Sequence, residues 1–110
     1  MAKERTYSRY THEAATLMAR QIQLGRKQRK WTERELAERA GISRATLQKI
    51  EKGDLSVAVG LVFEVAALVG LALFDQERAS LTSHIVRADD RLALLPRSVR
   101  KRRESVDDEF

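Results

Sequence analysis

Cysteine is absent from the chain, which excludes disulfides and thiolate metal sites and fits a reducing, cytoplasmic setting. No secretory signal is visible, because the opening MAKERTYSRYTHE is polar and charged. Long hydrophobic runs are also scarce. The one stretch that raises a membrane span is 57–74, where Glu64 sits near the middle and Gly60 and Gly70 interrupt it. It reads instead as a buried helix followed by a turn. His12 and His84 lie far apart without metal-ligand spacing, so no metal site is expected. A glycine-rich phosphate cradle is missing, and Asp75, Glu77 and Asp89-Asp90 have no nucleophile nearby. No enzymatic activity and no cofactor are therefore expected. One hundred and ten residues suit a small domain, with little room for a cleft as well as a core. No internal repeat is apparent.

What the chain does have is charge, unevenly placed. The net charge is +5 and the pI about 10.0. Residues 1–53 carry 13 Lys+Arg against 6 Asp+Glu, or +7, whereas 54–110 carry 8 against 10, or −2. A polyanionic partner for the first half is the physical implication. That half also holds the most informative stretch, TERELAERAGISRATLQKIEKG, from Thr32 to Gly53. Thr32 is placed as an N-cap with Glu35 three residues on, a capping box. Ser43 is placed to cap a second helix and Gly53 to end it in the left-handed conformation. Two short helices joined at Ala40-Gly41-Ile42 make a helix-turn-helix, whose second helix lies in the DNA major groove.

Along the chain, a first helix can run from Thr11, as N-cap, to about Lys30. Ala15, Met18 and Ile22 give it one apolar stripe. Arg26 continues that stripe, either at the edge of the core or inside it beside a carboxylate. Leu36, Ala37 and Ala40 form the inner face of the second helix, and Leu47 and Ile50 that of the third. Ser56 can cap a fourth helix ending at Gly70, apolar nearly all round except at Glu64, so part of it is expected to meet a second subunit. Residues 71–74 stay open between a strand and a turn of helix. A fifth helix is expected from Asp75 to Leu95, with Leu81, Ile85, Ala88, Leu92 and Leu95 in a heptad seam, ended by Pro96. The following RSVRKRRESVDDEF has few apolar residues and is expected to be disordered when unbound. The expected fold is thus all-α. It comprises a helix-turn-helix domain over 11–74, a C-terminal helix for dimer or partner contact over 75–95, and a flexible basic–acidic tail over 96–110.

With Leu47 and Ile50 inward, Arg44, Ala45, Thr46, Gln48 and Lys49 are left for solvent or DNA. Arg44 is the natural guanine reader, since its planar fork matches O6 and N7. Ala45 and the Thr46 methyl can meet a thymine methyl, and Lys49 can reach a base or a phosphate. Ser43, Thr32 and Lys52 suit phosphate oxygens. The same residues would also make an ordinary solvated face, but such a face has no reason to be one-signed.

Residues 17–74 resemble the Cro/phage-repressor (Xre-type) helix-turn-helix family. The resemblance is carried by Arg26, Thr32, Leu36-Ala37, Ala40-Gly41-Ile42-Ser43, Leu47, Ile50-Glu51-Lys52-Gly53 and Ala67-Leu68-Val69-Gly70. It implies a five-helix domain and a structural ion pair between Arg26 and Glu51. Members usually have glutamine where this chain has Glu33, and often glutamine at Arg44 as well; in the family those two side chains meet. In this departure from the family a carboxylate faces a guanidinium, which points to a Glu33–Arg44 pair that aims Arg44 at its base. Alternatively, Glu33 merely favours its helix N-terminus electrostatically.

The last forty residues, through LLPRSVRKRR and the terminal VDDEF, resemble HipB-like antitoxins paired with HipA-type kinase toxins. This implies a homodimer that represses its own operon and binds a kinase away from DNA. In the tail, Arg97, Arg100, Lys101, Arg102 and Arg103 can follow a phosphate backbone or an acidic partner surface. Phe110 is either an apolar anchor for a partner's pocket or a stray aromatic on a solvated tail. The functional expectation is a sequence-specific transcriptional repressor on a palindromic operator, acting as the antitoxin of a type II pair. A stand-alone phage- or plasmid-type repressor and a protein adaptor remain open as alternatives.

Overall fold

The computed structural model describes residues 5–75 and 78–101. It contains α1 (Arg9–Gln28), α2 (Glu33–Ala40), α3 (Arg44–Glu51), α4 (Val59–Leu68), a 3-10 turn (Leu73–Asp75) and α5 (Arg78–Ala93). The chain divides into two units, 1–76 and 77–110. Among the described residues there is no strand, and no helix is long and apolar enough to cross a membrane. The fold is all-α.

Helix boundaries follow from local hydrogen bonding, and those of three helices, α1, α4 and α5, differ from the pattern-based expectation. Ser8, not Thr11, caps α1: its hydroxyl accepts from the Thr11 N–H, so the helix begins two residues earlier than Thr11. Ser56 does not cap α4. Its N–H and hydroxyl both donate to Asp54 Oδ1, which closes a turn two residues before the helix. The N-cap is Ala58, which offers no side-chain bond. The fifth helix runs from Arg78 to Ala93, so Asp75 lies in the 3-10 turn before it and Leu95 past it, its N–H donating to the Leu92 carbonyl. At 71–74 the chain makes the 3-10 turn with Phe74 at φ 58°, its ring edge-on to Phe63 at 6.1 Å.

The first four helices end alike. In each, N–H groups just past the helix return to carbonyls of its last turn: Trp31 to Arg26, Ile42 to Ala37, Asp54 to Lys49 and Leu71 to Ala66. The residue before each of these donors must be left-handed. Gly41, Gly53 and Gly70 fill that place after α2, α3 and α4, whereas α1 uses Lys30 at φ 60°. A side chain there is disfavoured by about 1–2 kcal/mol.

The core consists of Ile22 from α1, Leu36 and Ala37 from α2, Leu47 and Ile50 from α3, and Val65, Ala66 and Val69 from α4 and its end. Ile22, Leu36, Leu47 and Val65 are fully buried. Each contributes roughly 1.5–3 kcal/mol relative to exposure. α1 and α4 approach closely because Gly25 faces Val69: a Cβ at Gly25 would lie 2.8 Å from the Val69 Cβ. The α4 surface is apolar beyond the core, with Val59 64% exposed and Leu61 and Phe63 also uncovered. In the second unit, Ile85 and Leu92 of the seam are exposed along α5. Residues 102–110, including Arg102, Arg103 and Phe110, lie outside the described residues.

Candidate nucleic-acid interface

The N-terminus of α2 is held by a reciprocal pair of bonds. Thr32 Oγ1 accepts from the Glu35 N–H at 3.0 Å, and Glu35 Oε1 accepts from the Thr32 N–H at 2.8 Å. The Thr32 hydroxyl proton stays available to an acceptor outside the chain. Ser43 caps α3 by accepting from the Thr46 N–H at 3.0 Å. Its hydroxyl donates to Thr46 Oγ1 at 2.9 Å, so the proton free for an outside acceptor belongs to Thr46 rather than Ser43.

α1 and α3 are tied together by a buried ion pair. Arg26 Nε donates to Glu51 Oε2 at 2.7 Å and Nη2 to Oε1 at 3.0 Å, a bidentate fork. The third donor, Nη1, goes to the Trp31 carbonyl at 3.1 Å, just before the cap of α2. One guanidinium therefore ties α1, the end of α3 and the approach to α2. The bonds donated to Glu51 raise the Arg26 pKa above its ordinary value, despite burial acting the other way. Gln23 Nε2 adds a 2.7 Å bond to the Glu51 carbonyl. Trp31 is flanked by two guanidiniums, that of Arg39 at 4.3 Å from the ring centre and that of Arg29 at 5.7 Å.

Arg44 and Glu33 meet across the turn. Arg44 Nε donates to Glu33 Oε1 at 3.3 Å. The same oxygen accepts from Gln48 Nε2 at 3.2 Å. Those two contacts, Gln48 first, hold the Glu33 carboxyl below the usual carboxylate range although desolvation opposes it. Glu33 is a half-buried side chain at 28% exposure, whereas Arg44 is 65% exposed and leaves Nη1 and Nη2 without a partner in the described chain. Ala45 and Lys49 are exposed one position further round α3, Thr46 and Gln48 are half-buried, and Lys52 is exposed at the helix end. The arrangement offers a fixed fork of N–H donors, a small apolar residue and a cation on one short helix, which is the chemistry that meets base edges and phosphates in a major groove.

Pattern reasoning overlooked Trp31 and Gly25, and gave Gln48 to solvent or DNA without its bond to Glu33. The bond from Gln48 to Glu33 was detectable in principle, because Gln48 lies four residues after Arg44 and shares its edge of the helix. Trp31 and Gly25 carried no comparable local signal. In the second unit, Leu92, Leu95, Pro96 and Val99 line an open apolar depression beside Arg97 and Arg100.

The helix-turn-helix family model HTH_3 matches residues 22–75. Over those residues the chain folds as a helix-turn-helix, α2 and α3 joined by the turn at Gly41. Among solved structures, similarity is found to a chain described as "MDT Protein", with 27% identity over 64% of this chain and 92% of that one, TM-score 0.49. A chain from a complex of a HipB variant with an "O2 20mer" shares 26% identity over 66% and 92% respectively, TM-score 0.49. A chain of the "Structure of HipA-HipB-O2-O3 complex" shares 27% over 64% and 92%, again with TM-score 0.49. No curated protein matches the chain in sequence.

Proposed function

We propose that this protein is a sequence-specific transcriptional repressor that binds a palindromic operator as a homodimer, with one α3 per half-site. The observation that carries the reading is Arg44, an exposed guanidinium on the helix-turn-helix, oriented by a carboxylate of the preceding helix. With Nε bound to Glu33, the Nη1 and Nη2 ends are left for guanine O6 and N7. The +7 balance of residues 1–53 supports phosphate attraction around that contact. Thr32, Thr46 and Lys52 are the phosphate contacts of this reading, with Ser43 supporting Thr46. Ala45 and Lys49 face the groove floor. Two-fold symmetry would place the α3 helices about 34–36 Å apart, or a multiple of that.

The exposed apolar face of α4 supports the homodimer. In this reading Leu61→Lys weakens self-association by about 10-fold or more in sedimentation, as a charge in a packed interface should. Unchanged association would move the interface elsewhere, with the α5 seam as the next candidate.

The finer part of the proposal is that the repressor is the antitoxin of a type II pair, autoregulating its operon and neutralising a HipA-type kinase. The resemblance of the C-terminal third and the exposed apolar–basic segment at Leu92–Arg100 support it. Two experiments test the proposal as a whole. Anisotropy with duplexes from upstream of its own gene should show affinity falling linearly on a log–log salt plot, with a slope of about −0.9 per phosphate neutralised. Co-purification with the product of the adjacent gene, using the full chain and a version ending at Leu95, should give a complex that the truncation loses. Operator binding without any complex would leave a stand-alone repressor.

A further inference from the structure

The contacts of Glu33 give Gln48 a role apart from reading DNA. On α3, Arg44 and Gln48 are four residues apart and share one edge, while Ala45 and Lys49 share the next edge, about 100° further round. The first edge faces α2, where Glu33 Oε1 takes a hydrogen bond from each of its two side chains, 3.3 Å from Arg44 Nε and 3.2 Å from Gln48 Nε2. The second edge is exposed at both residues. An exposed arginine–carboxylate pair alone is worth little, because both side chains give up rotamer freedom to hold one geometry in water. Arg44 is such an exposed member. Gln48 is half-buried, and its bond from behind removes the freedom Glu33 would otherwise have to follow Arg44 into solvent.

We infer that Gln48 is a positioning residue: it anchors the Glu33 carboxylate, which in turn holds Arg44 with its outer fork toward one base pair. This rests on the reading of Arg44 as a base reader. Its consequence is that Gln48 governs preference at the base pair read by Arg44, not at a base pair of its own. Arg44, Glu33 and Gln48 act as one unit at a single operator position, leaving Ala45 and Lys49 to act elsewhere.

The test is a panel of operator duplexes, each with one base pair changed, titrated against the full-length protein and its variants. Gln48→Ala should lower discrimination by about 2- to 10-fold, the effect of one hydrogen bond, and only at the base pair that Arg44→Ala also relaxes. In the Arg44→Ala background it should change nothing further. An unchanged helical circular dichroism spectrum shows that the variant is folded. Gln48→Glu sets a second carboxylate against Glu33 and should lose discrimination in the same place. The exchange Glu33→Gln with Gln48→Glu keeps one carboxylate, one amide and the net charge, with the carboxylate now four residues from Arg44 on the same helix, and should restore it. Relaxation at a different base pair would make Gln48 a base reader and overturn the inference. So would an equal loss at all positions, or additivity with Arg44→Ala. A wild type without preference at any position would instead remove the reading on which the inference stands.

Discussion

The α2–α3 hairpin and α4 share one core yet are finished in opposite ways. Each helix of the hairpin starts on a hydroxyl cap, at Thr32 and Ser43, and its outer side chains are paired with one another. α4 starts on Ala58 with no side-chain cap, and turns Val59, Leu61 and Phe63 outward. Within one chain the hairpin's helix starts are capped and Arg44 is held by Glu33, with its outer donors left exposed. α4 is incomplete in the same sense that an interface half is incomplete. Its apolar surface gains only when something covers it. The contrast separates a surface whose outward donors suit a polar, anionic ligand from an apolar surface left uncovered in the single chain.

The largest expected break in this contrast is at the hairpin's anchor. Arg26→Ala leaves Glu51 buried without its partner and should cost about 3–5 kcal/mol in urea unfolding. Replacing both residues with apolar ones of similar volume should cost much less, which separates the burial of an unpaired charge from a net contribution of the pair. Next comes the seat of α4. Gly25→Ala drives a methyl into Val69 and should cost about 1–3 kcal/mol, with the loss recovered in part by trimming Val69 to Ala. Capping should then trade between the two regions. Thr32→Ala should destabilise by about 1 kcal/mol, and Ala58→Ser, which supplies α4 with the acceptor it lacks, should stabilise by a similar or smaller amount. If Ala58→Ser has no effect, the start of α4 is already satisfied from outside the chain.

The smallest effect expected is with pH. The Glu33 carboxyl is held below its ordinary value, so its contacts are fully present above that value and fade only as pH falls through the lowered one. Base preference should therefore be flat from neutral pH down to about pH 5. A transition inside that window would mean that Glu33 is not the group holding Arg44.

Much of the hairpin was legible because its determinants are local. The box at Thr32 and Glu35, the cap at Ser43 and the left-handed glycines at 41 and 53 act over three or four residues, and such spacings survive in the bare sequence. Boundaries failed where two local motifs competed for one residue. Ser56 carries the right side chain for a cap, but Asp54 claims it two residues earlier. Thr11 carries another, but Ser8 starts the helix first and takes the Thr11 N–H as its donor. Gly25 was invisible for a different reason. Nothing near it in sequence signals that Val69, more than forty residues on, will need the space of its missing side chain. At residues 71–74 four apolar positions fit either a strand or a turn, and the left-handed Phe74 that decides it has no sequence signature.

On the proposed reading, Arg44, held by Glu33, meets a guanine in each half of a symmetric site. The direct measurement is selection from a pool of randomised DNA duplexes with the wild type and with Arg44→Ala, followed by sequencing of the bound fraction. A palindrome whose half-sites share a fixed guanine is expected, with the loss of that position alone in the variant. The same enriched motif with uniformly weaker binding would make Arg44 a phosphate contact, and no enriched motif from the wild type would contradict the account outright.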